Sequence, residues 1–374
     1  MTDFDVIILG GGLAGLTAAL HLSKTQKRVL VIEKNPYPNH KVCGEYVSNE
    51  VRPYLESLGV GLDAAGVVPI KRMQLTTVRG HEIVTKLPLG GFGISRYSFD
   101  HLLYEHAVDN GTIFQFDTAL ECTLKNGTFH VKTASMKSYS SKMVIGAYGK
   151  RSNFDKQMQR PFMNQQSPWL GVKEHYEYDE FPDDLVALHA FPGGYGGLSK
   201  IENGQINFCY LATYDSFKKH KDVAQYNREN VAKNPFLNEF LNKAKPVFEK
   251  PLSIAQISFA SKNPVEEHML MCGDSAGLIH PLCGNGMAMA IMGARLAALT
   301  TLDYLNGKMG QADFETKYQN LWKHEFQERL AMGRRIQSLL MRPWLAELGM
   351  NTIARSETLL QGIIRRTHGK PILV

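Results

Sequence analysis

The sequence predicts an α/β fold, in which a domain with a parallel sheet is interrupted by an antiparallel β-sheet and followed by C-terminal helices. Three observations predict it. An apolar strand pattern, a glycine-rich turn and a helical pattern follow one another at the N-terminus. Residues 165–265 are aromatic, turn-rich and alternating, which is typical of an antiparallel sheet. A buried strand pattern returns at Met269, so we expect the first domain to resume there.

The first half of the chain begins with one βαβ unit. Apolar runs predict strands over residues 4–9 and 28–33, with a helix over residues 14–24 between them. Helical spacing over residues 98–108 predicts a second helix, with Ser98 as its cap and Asp100 in its first turn. Residues 112–145 alternate as a series of short strands that ends in "KMVIGAYG".

The C-terminal part of the chain is predicted to be helical. A strongly helical pattern follows the strand and glycine-rich turn that begin at Met269. A long amphipathic helix is expected over residues 314–341. Its apolar residues recur mostly at steps of three and four: Phe314, Tyr318, Leu321, Trp322, Phe326, Leu330 and Ile336.

These elements predict a discontinuous first domain. We assign to it residues 1–75, 96–155 and 266–310. The inserted sheet, which we expect to carry a substrate, takes residues 76–95 and 156–265. A C-terminal helical region takes residues 311–374.

Composition restricts the class of protein. The chain has 374 residues, 44% of them hydrophobic, which is enough for a substantial core. Its net charge of +6 is modest, and without a basic stripe it does not indicate nucleic acid. The five cysteines are scattered without a CxxC pair, so we predict no metal site and no disulfide framework. With no apolar segment of about 20 residues and no basic leader, a cytoplasmic protein is expected.

The glycine-rich turn predicts a dinucleotide site. Gly10, Gly12 and Gly15 fit GxGxxG between a strand and a helix, where missing side chains allow a tight turn and close approach of a pyrophosphate. Glu33 ends the second strand 18 residues after Gly15, the expected place for an acid that binds the ribose hydroxyls. This is a Rossmann-like unit, and by itself it fits either FAD or NAD.

A second motif favours FAD. "MCGDSAGLIHPLCGNGM" gives a strand, then Gly273 and Asp274, then Pro281, and then glycines at a helix start. Here the chain resembles the flavoprotein monooxygenase and geranylgeranyl reductase superfamily, which shares the p-hydroxybenzoate hydroxylase-like fold with a GR2-type FAD domain. "ISRYSFDHLL" and the KxCG stretch in "KVCGEYVS" match further segments of that family.

The resemblance implies a set of cofactor-binding residues. Asp274 would bind the ribityl or ribose hydroxyls, Arg96 the phosphates or adenosine, and backbone N–H groups near Met287 the flavin pyrimidine, where a helix N-terminus suits the negative charge of the reduced ring. The full predicted set is Gly10, Gly12, Leu13, Ala14, Gly15, Glu33, Lys34, Lys41, Cys43, Arg96, Gly149, Gly273, Asp274, Pro281, Gly284, Asn285, Gly286 and Met287.

One position departs from the family pattern. Tyr148 stands where the family usually has the Asp of an Asp-Gly pair, although Gly149 and Ser152 remain. In hydroxylases that pair is linked to FAD and to pyridine nucleotide binding. NADPH or NADH therefore stays one candidate electron donor, and a separate reductase or carrier is the other.

The flavin chemistry has several outcomes. We favour a monooxygenase that hydroxylates an apolar aromatic or polyketide-like small molecule, with reduction of isoprenoid double bonds as the alternative. Halogenation is disfavoured because "LHAFPGG" lacks both tryptophans of the WxWxIP motif. The alternative from a different functional class is a non-catalytic module that binds prenylated proteins, as the Rab GDP-dissociation inhibitors do. The complete set of FAD residues argues against it.

Two residues are candidate acids or bases beside the flavin. By resemblance, Cys43 lies near the flavin and substrate, where a thiol could supply a proton as hydride leaves. The other reading of Cys43 is a small apolar residue. His280 precedes Pro281 and is an acid or base, or else a hydrogen-bonding turn residue.

The C-terminal region also bears on the substrate. "MRPWLAELGM" and "GIIRRTHGK" join apolar residues to Arg365, Arg366 and Lys370, which fits contact with the inner face of an anionic membrane. The alternative is a helix packed on the FAD domain with a solvated basic end. We predict a hydrophobic small-molecule substrate.

Overall fold

The computed structural model describes residues 2–278, 284–340, 348–349, 351–353 and 355–372. The strands in chain order are β1 (Phe4–Leu9), β2 (Val29–Glu33), β3 (Tyr46–Ser48), β4 (Val68–Thr76), β5 (Glu82–Gly93), β6 (Ile113–Phe116), β7 (Ala119–Lys125), β8 (Thr128–Thr133), β9 (Ser138–Gly146), β10 (Trp169–Glu177), β11 (Leu185–Phe191), β12 (Gly194–Lys200), β13 (Ile206–Thr213), β14 (Lys245–Pro246), β15 (Leu252–Ala255), β16 (Val265–Glu266) and β17 (Met269–Met271).

Helices lie between and after these strands. They are α1 (Leu13–Ser23), α2 (Arg52–Ser57), α3 (Arg96–Asp109), α4 (Asn153–Gln157), α5 (Tyr214–Phe217), α6 (Val223–Glu229), α7 (Pro235–Lys243), α8 (Gly286–Leu305), α9 (Gln311–Leu340) and α10 (Glu357–Thr367). Within the described ranges, no helix combines the length and the apolar character needed to cross a membrane.

The first sheet, sheet A, has the order β16-β17-β9-β1-β2-β6, and β8 joins β9 to β7 at its side. Strands β17, β9, β1, β2 and β6 are parallel neighbours. Helix α1 packs against α3 and α8, and α8 packs against α9. Because β1 and β2 are almost entirely buried, their sequences are apolar runs rather than alternating patterns. The predicted βαβ unit and the return of the chain at Met269 are confirmed.

The second sheet, sheet B, has the order β14-β10-β13-β12-β11-β4-β5-β3, with β15 also paired to β10. Most of its pairs are antiparallel, but β11 runs parallel to β4. The predicted fold class is therefore confirmed with one parallel pair inside the inserted sheet. By their pairing β3 and β4 belong to sheet B, although the sequence-based boundary at residue 75 assigns nearly all of their residues to the first domain.

Three local expectations differ from the structure. Helix α3 is capped by Ser95 and not by Ser98: Ser95 has extended backbone and accepts from Ser98 N at 3.0 Å, while the Ser98 hydroxyl donates to Glu202. On α9, Leu321 is 37% exposed, because Tyr318, Trp322 and Phe326 form the buried stripe. Helices α5–α7 interrupt the segment predicted as strands. Asn234, followed by Pro235 at the first helical turn, signals one of them.

Three hydrophobic clusters position the site. One fills the space between sheet A and its helices, and a second lies between sheet B and helices α6 and α7. The third covers the other face of sheet B and includes Leu360 and Ile364 of α10. Helix α10 therefore covers the face of sheet B that is directed toward the first domain.

Candidate active site

The glycine turn between β1 and α1 is held by close backbone contacts. Gly10 has φ +102°, a conformation that favours glycine, and its N–H donates to Ile32 O at 2.9 Å. A β-carbon on Gly15 would lie 2.0 Å from Gly10 O, so only glycine lets the helix approach the strand this closely. Gly12 is the N-cap of α1 and has no side chain to cap it. The first helical turn also contains no acidic residue, which leaves its N-terminus suited to an anion.

Glu33 faces this turn from the end of β2. Its Oε2 accepts from Gly11 N at 2.7 Å and its Oε1 from Asn35 N at 3.2 Å. The side chain is buried yet lines the main cavity. A carboxylate has lone pairs beyond these two bonds, so Glu33 can hold the turn and accept from ribose hydroxyls together.

Arg96 brings a fixed positive charge to the same turn. Its guanidinium makes two hydrogen bonds of 2.7 Å to Asp100, which also accepts from Lys41 Nζ at 2.9 Å. Arg96 Nη2 lies 3.7 Å from where a β-carbon of Gly12 would be. Burial alone would raise the pKa of Asp100, but the charges of Arg96 and Lys41 outweigh it and hold that pKa below its usual range. The cluster carries net positive charge beside the α1 N-terminus.

The second fingerprint packs directly on the first. Gly273 follows β17 with φ +62°, and a β-carbon there would lie 2.9 Å from Ala14 Cβ on α1. Lys262 Nζ donates to Asp274 O at 2.7 Å and to Lys150 O at 2.9 Å. It thereby ties the Asp274 turn to the loop after β9. Burial lowers the pKa of Lys262 to about 8.

The loop after β9 contains the departure from the family pattern. Tyr148 lines the cavity, and its hydroxyl lies 3.4 Å from Met271 Sδ and 3.5 Å from Asp155 Oδ1. Burial raises the pKa of Tyr148, so the phenol is neutral where the family has a carboxylate. Gly149 also lines the cavity, with φ +89°.

The start of α8 forms another wall of the site. Asn285 is its N-cap without a capping hydrogen bond from its side chain, and the first turn has no acidic residue. The Asn285 amide instead donates to buried Glu50 at 3.2 Å. On the cavity side, Cys43 Sγ lies 3.3 Å from Met287 Sδ. The N-terminus of a second helix, α8, therefore lies next to the thiol of Cys43, the candidate proton donor.

The glycine turn, Glu33, Arg96, the Asp274 turn, the loop with Tyr148 and the start of α8 border one cavity of about 1170 Å³. Its charged lining residues include Glu33 and Arg96 near α1, and a group of leucines lines it over sheet B. We call the part over sheet B the apolar arm and define it by Leu75, Leu87, Leu188, Leu211, Leu278 and Leu360. A single drug-sized pocket has roughly 300–1,000 Å³, so this cavity accommodates a dinucleotide and a substrate together.

The residues present fit FAD. Two helix N-termini without acidic first turns, one at Gly12 and one at Asn285, border the same cavity, and both would favour the negative charge of a pyrophosphate or a reduced flavin. Glu33 and Asp274 line the cavity, where their carboxylates would accept from sugar hydroxyls. Arg96 would bring a half-buried cation, its side chain 14% exposed, near the predicted pyrophosphate position.

The structure brings most of the predicted site together. Gly10, Gly12, Leu13, Ala14, Glu33, Lys34, Lys41, Cys43, Arg96, Gly149, Gly273, Asp274, Gly284, Asn285, Gly286 and Met287 line the cavity. Gly15 lies beneath it, in the contact between α1 and β1. His280 and Pro281 lie outside the described residues. The individual roles of these residues stay predictions.

Several polar residues at the site were not identified from the sequence. Lys262 is one. The others are fully buried and lie in or next to the segment that carries Cys43: Glu45, Lys173, Ser199 and Asn207. Lys173 had a visible signal. It lies in "WLGVKEHYE", whose apolar start indicates a buried strand rather than one with a face exposed to solvent. A charged residue in such a strand needs a buried partner.

Comparison with known proteins agrees with the resemblance in motifs. The family profile described as FAD binding domain matches residues 3–320. Conditioned medium factor receptor 1 of Dictyostelium discoideum is 22% identical over 377 residues, which cover 91% of this chain and 71% of that protein. Digeranylgeranylglycerophospholipid reductase of Thermoplasma volcanium is 24% identical over 369 residues, which cover 88% of this chain and 85% of that protein.

Solved structures share the fold. The flavin-dependent halogenase CmlS superposes with a TM-score of 0.77 at 18% identity, covering 100% of this chain and 74% of that one. A geranylgeranyl bacteriochlorophyll reductase-like protein of Thermoplasma acidophilum gives a TM-score of 0.71 at 18% identity, covering 98% of this chain and 92% of that one. At such identities the likeness shows the fold alone.

Proposed function

The chain belongs to the FAD-binding domain family and is a flavin-dependent oxidoreductase, and on this premise we propose that it reduces carbon–carbon double bonds in a long isoprenoid chain. The observation that carries the proposal is the position of Cys43. Its thiol borders the same cavity as the two helix N-termini and the apolar arm. A proton donor is thus available where a double bond could lie beside the cofactor.

The apolar arm supports an extended hydrocarbon substrate. Leucines from β4, β5, β11 and β13 line it, together with Leu360 of α10. Burying a hydrocarbon chain against such residues contributes about 25 cal/mol per Å² of apolar area. An unfunctionalised chain has few other means of binding, so a long apolar surface is what its recognition requires.

The chemistry needs one hydride and one proton for each double bond. Bound FAD, once reduced, supplies the hydride. Cys43 holds a proton at Sγ and gives it to the second carbon, after which the thiolate regains a proton from water. Arg96, Glu33 and Asp274 bind the cofactor and take no part in proton transfer. NADPH, NADH or a separate electron carrier provides the reducing equivalents.

Relatives support reduction over hydroxylation. The Thermoplasma volcanium relative is named for reduction of a digeranylgeranyl lipid, and its similarity extends over most of both chains. The KxCG stretch, with Cys43 in the cavity, adds a residue that hydroxylation does not need. For these reasons we favour the reductase over the monooxygenase that the motifs alone suggested.

The test is an analysis of the reaction products formed without oxygen and with oxygen. FAD-loaded protein, reduced with dithionite without oxygen, is mixed with geranylgeraniol, and the products are examined by mass spectrometry. We expect the gain of two hydrogen atoms per reduced bond and reoxidation of the flavin. A product that gains one oxygen atom, formed only when oxygen is admitted, would instead support the monooxygenase. Flavin that stays reduced without oxygen in the presence of every isoprenoid tried would overturn the proposal.

A further inference from the structure

The segment that carries Cys43, residues 41–45, is held by buried polar side chains of sheet B. Lys173 Nζ donates to Lys41 O at 3.2 Å, Asn207 Nδ2 to Cys43 O at 3.2 Å and Ser199 Oγ to Gly44 O at 3.3 Å. These three side chains come from β10, β13 and β12, and none has exposed surface. Burying such groups is costly unless they are hydrogen-bonded, so this part of sheet B is built to hold one backbone segment.

Glu45 ends the segment and connects it to both sides of the cavity. Its carboxylate accepts from Lys173 Nζ and contacts His175 Nε2 at 2.7 Å, both on β10. It also accepts from Arg96 N, at the start of α3, at 2.6 Å. Its backbone carbonyl accepts from Ile94 N at 3.2 Å. One buried side chain thus links sheet B, the Cys43 segment and the helix whose Arg96 lies beside the glycine turn.

Glu45 has a strained backbone conformation. Its φ is +54°, a left-handed conformation that a residue with a side chain rarely adopts. Such conformations persist only where surrounding contacts enforce them. The hydrogen bonds to Lys173, His175 and Arg96 provide that enforcement. Lys41, at the other end of the segment, is fixed by its ion pair with Asp100.

We propose that Glu45 is a positioning residue, which fixes the segment bearing Cys43 between sheet B and α3 so that the thiol faces both the cofactor side and the apolar arm. Its effect on turnover rests on the proposed function; its effect on the position of the thiol does not. Misplacing a reacting group by about 1 Å can cost about a hundredfold in rate, so a buried anchor here governs catalysis without touching substrate.

The experiment compares Glu45→Gln with the unchanged protein, both loaded with FAD. Two readouts are used: the alkylation rate of Cys43 by iodoacetamide, followed by peptide mass spectrometry, and kcat and KM for the isoprenoid. We expect Glu45→Gln to keep its FAD and to lose about tenfold or more in kcat with KM little changed. The alkylation rate should change severalfold. His189→Gln serves as the control, because His189 is equally buried in sheet B but bonds to Thr76, outside the cavity lining.

A double variant separates positioning from stability. Glu45→Gln with Lys173→Met removes both charges, which restores much of the stability that a buried unpaired charge costs. We expect its melting temperature to recover while kcat and the alkylation rate stay altered. Recovery of all three together would assign Glu45 a purely structural role and overturn the proposal. An alkylation rate in Glu45→Gln equal to that of the unchanged protein would also overturn it, whether or not the isoprenoid is reduced.

Discussion

The thiol of Cys43 lies 3.3 Å from the sulfur of Met287, at the first turn of α8. The contact joins the KxCG segment to the second fingerprint, two motifs that are separated by more than half of the chain. Because α8 begins at the wall predicted to face the flavin, the contact places Cys43 in the cavity lining between that predicted flavin position and the apolar arm.

Replacing Cys43 with Ala should remove the proton donor and leave the cofactor bound. Positioned proton transfer contributes about a hundredfold to ten-thousandfold, so reoxidation of reduced flavin by isoprenoid should slow by at least the lower figure. Stopped-flow absorbance without oxygen measures it, and FAD content gives the internal control. Cys122→Ala, on β7 away from the cavity, should react normally. Full activity in Cys43→Ala would leave the thiol a space-filling role.

Replacing Glu33 with Arg should weaken FAD binding. The change removes the acceptor for Gly11 N and Asn35 N and loses the predicted ribose contact. Hydrogen bonds to a charged group contribute about 1.5–3 kcal/mol each, so Kd should rise by roughly tenfold to a hundredfold or more. Titration of FAD-free protein, followed by flavin fluorescence, measures this. Glu33→Gln keeps one acceptor oxygen, so its Kd for FAD should lie between those of the unchanged protein and Glu33→Arg. An unchanged Kd for Glu33→Arg would contradict the predicted position of the ribose beside Glu33.

The fold class and the cofactor could be predicted because their signals are local. GxGxxG with a following acid is a contiguous pattern, and the close approach of Gly15 to Gly10 explains why only glycine serves there. Helix α3 shows where local reading fails. Ser95 and Ser98 both suit a cap, and the choice depends on Glu202, which is remote in sequence and engages both hydroxyls.

The anchors of the Cys43 segment could not be predicted for the same reason. Lys173, Ser199 and Asn207 lie on three strands that meet the segment only after sheet B has formed. Ser199 and Asn207 each have the pattern of an ordinary polar residue in a strand. The apolar start of β10 indicates that Lys173 needs a buried partner, but not which segment provides it. The parallel pairing of β11 with β4 inside sheet B could not be predicted either, because an alternating pattern is the same for both strand directions.

Lys262 should make the stability of the protein depend on pH in the alkaline range. Burial lowers its pKa from 10.5 to about 8, so between these values the unfolded chain binds more protons than the folded one. Stability from this group is therefore complete above pH 10.5 and is lost as pH falls to about 8, by roughly 3 kcal/mol. Chemical denaturation at pH 8 and pH 10 measures the difference. Lys262→Met should show a smaller rise, and an identical rise in both proteins would refute the assignment.

The length of the apolar arm should be adjustable at Gly197. This residue lies on β12 in the cavity lining, and a β-carbon there would meet Leu188 Cδ2 at 3.4 Å, an ordinary contact. Gly197→Ala should therefore be tolerated, whereas Gly197→Leu places a branched side chain in the arm. If the isoprenoid lies there, KM for geranylgeraniol should rise by about tenfold in the Leu variant, while the shorter geraniol is affected little. Steady-state kinetics with both alcohols measures the ratio. An unchanged KM for geranylgeraniol in the Leu variant would mean that the substrate binds outside the arm, because only a chain that extends past Gly197 can contact the added side chain.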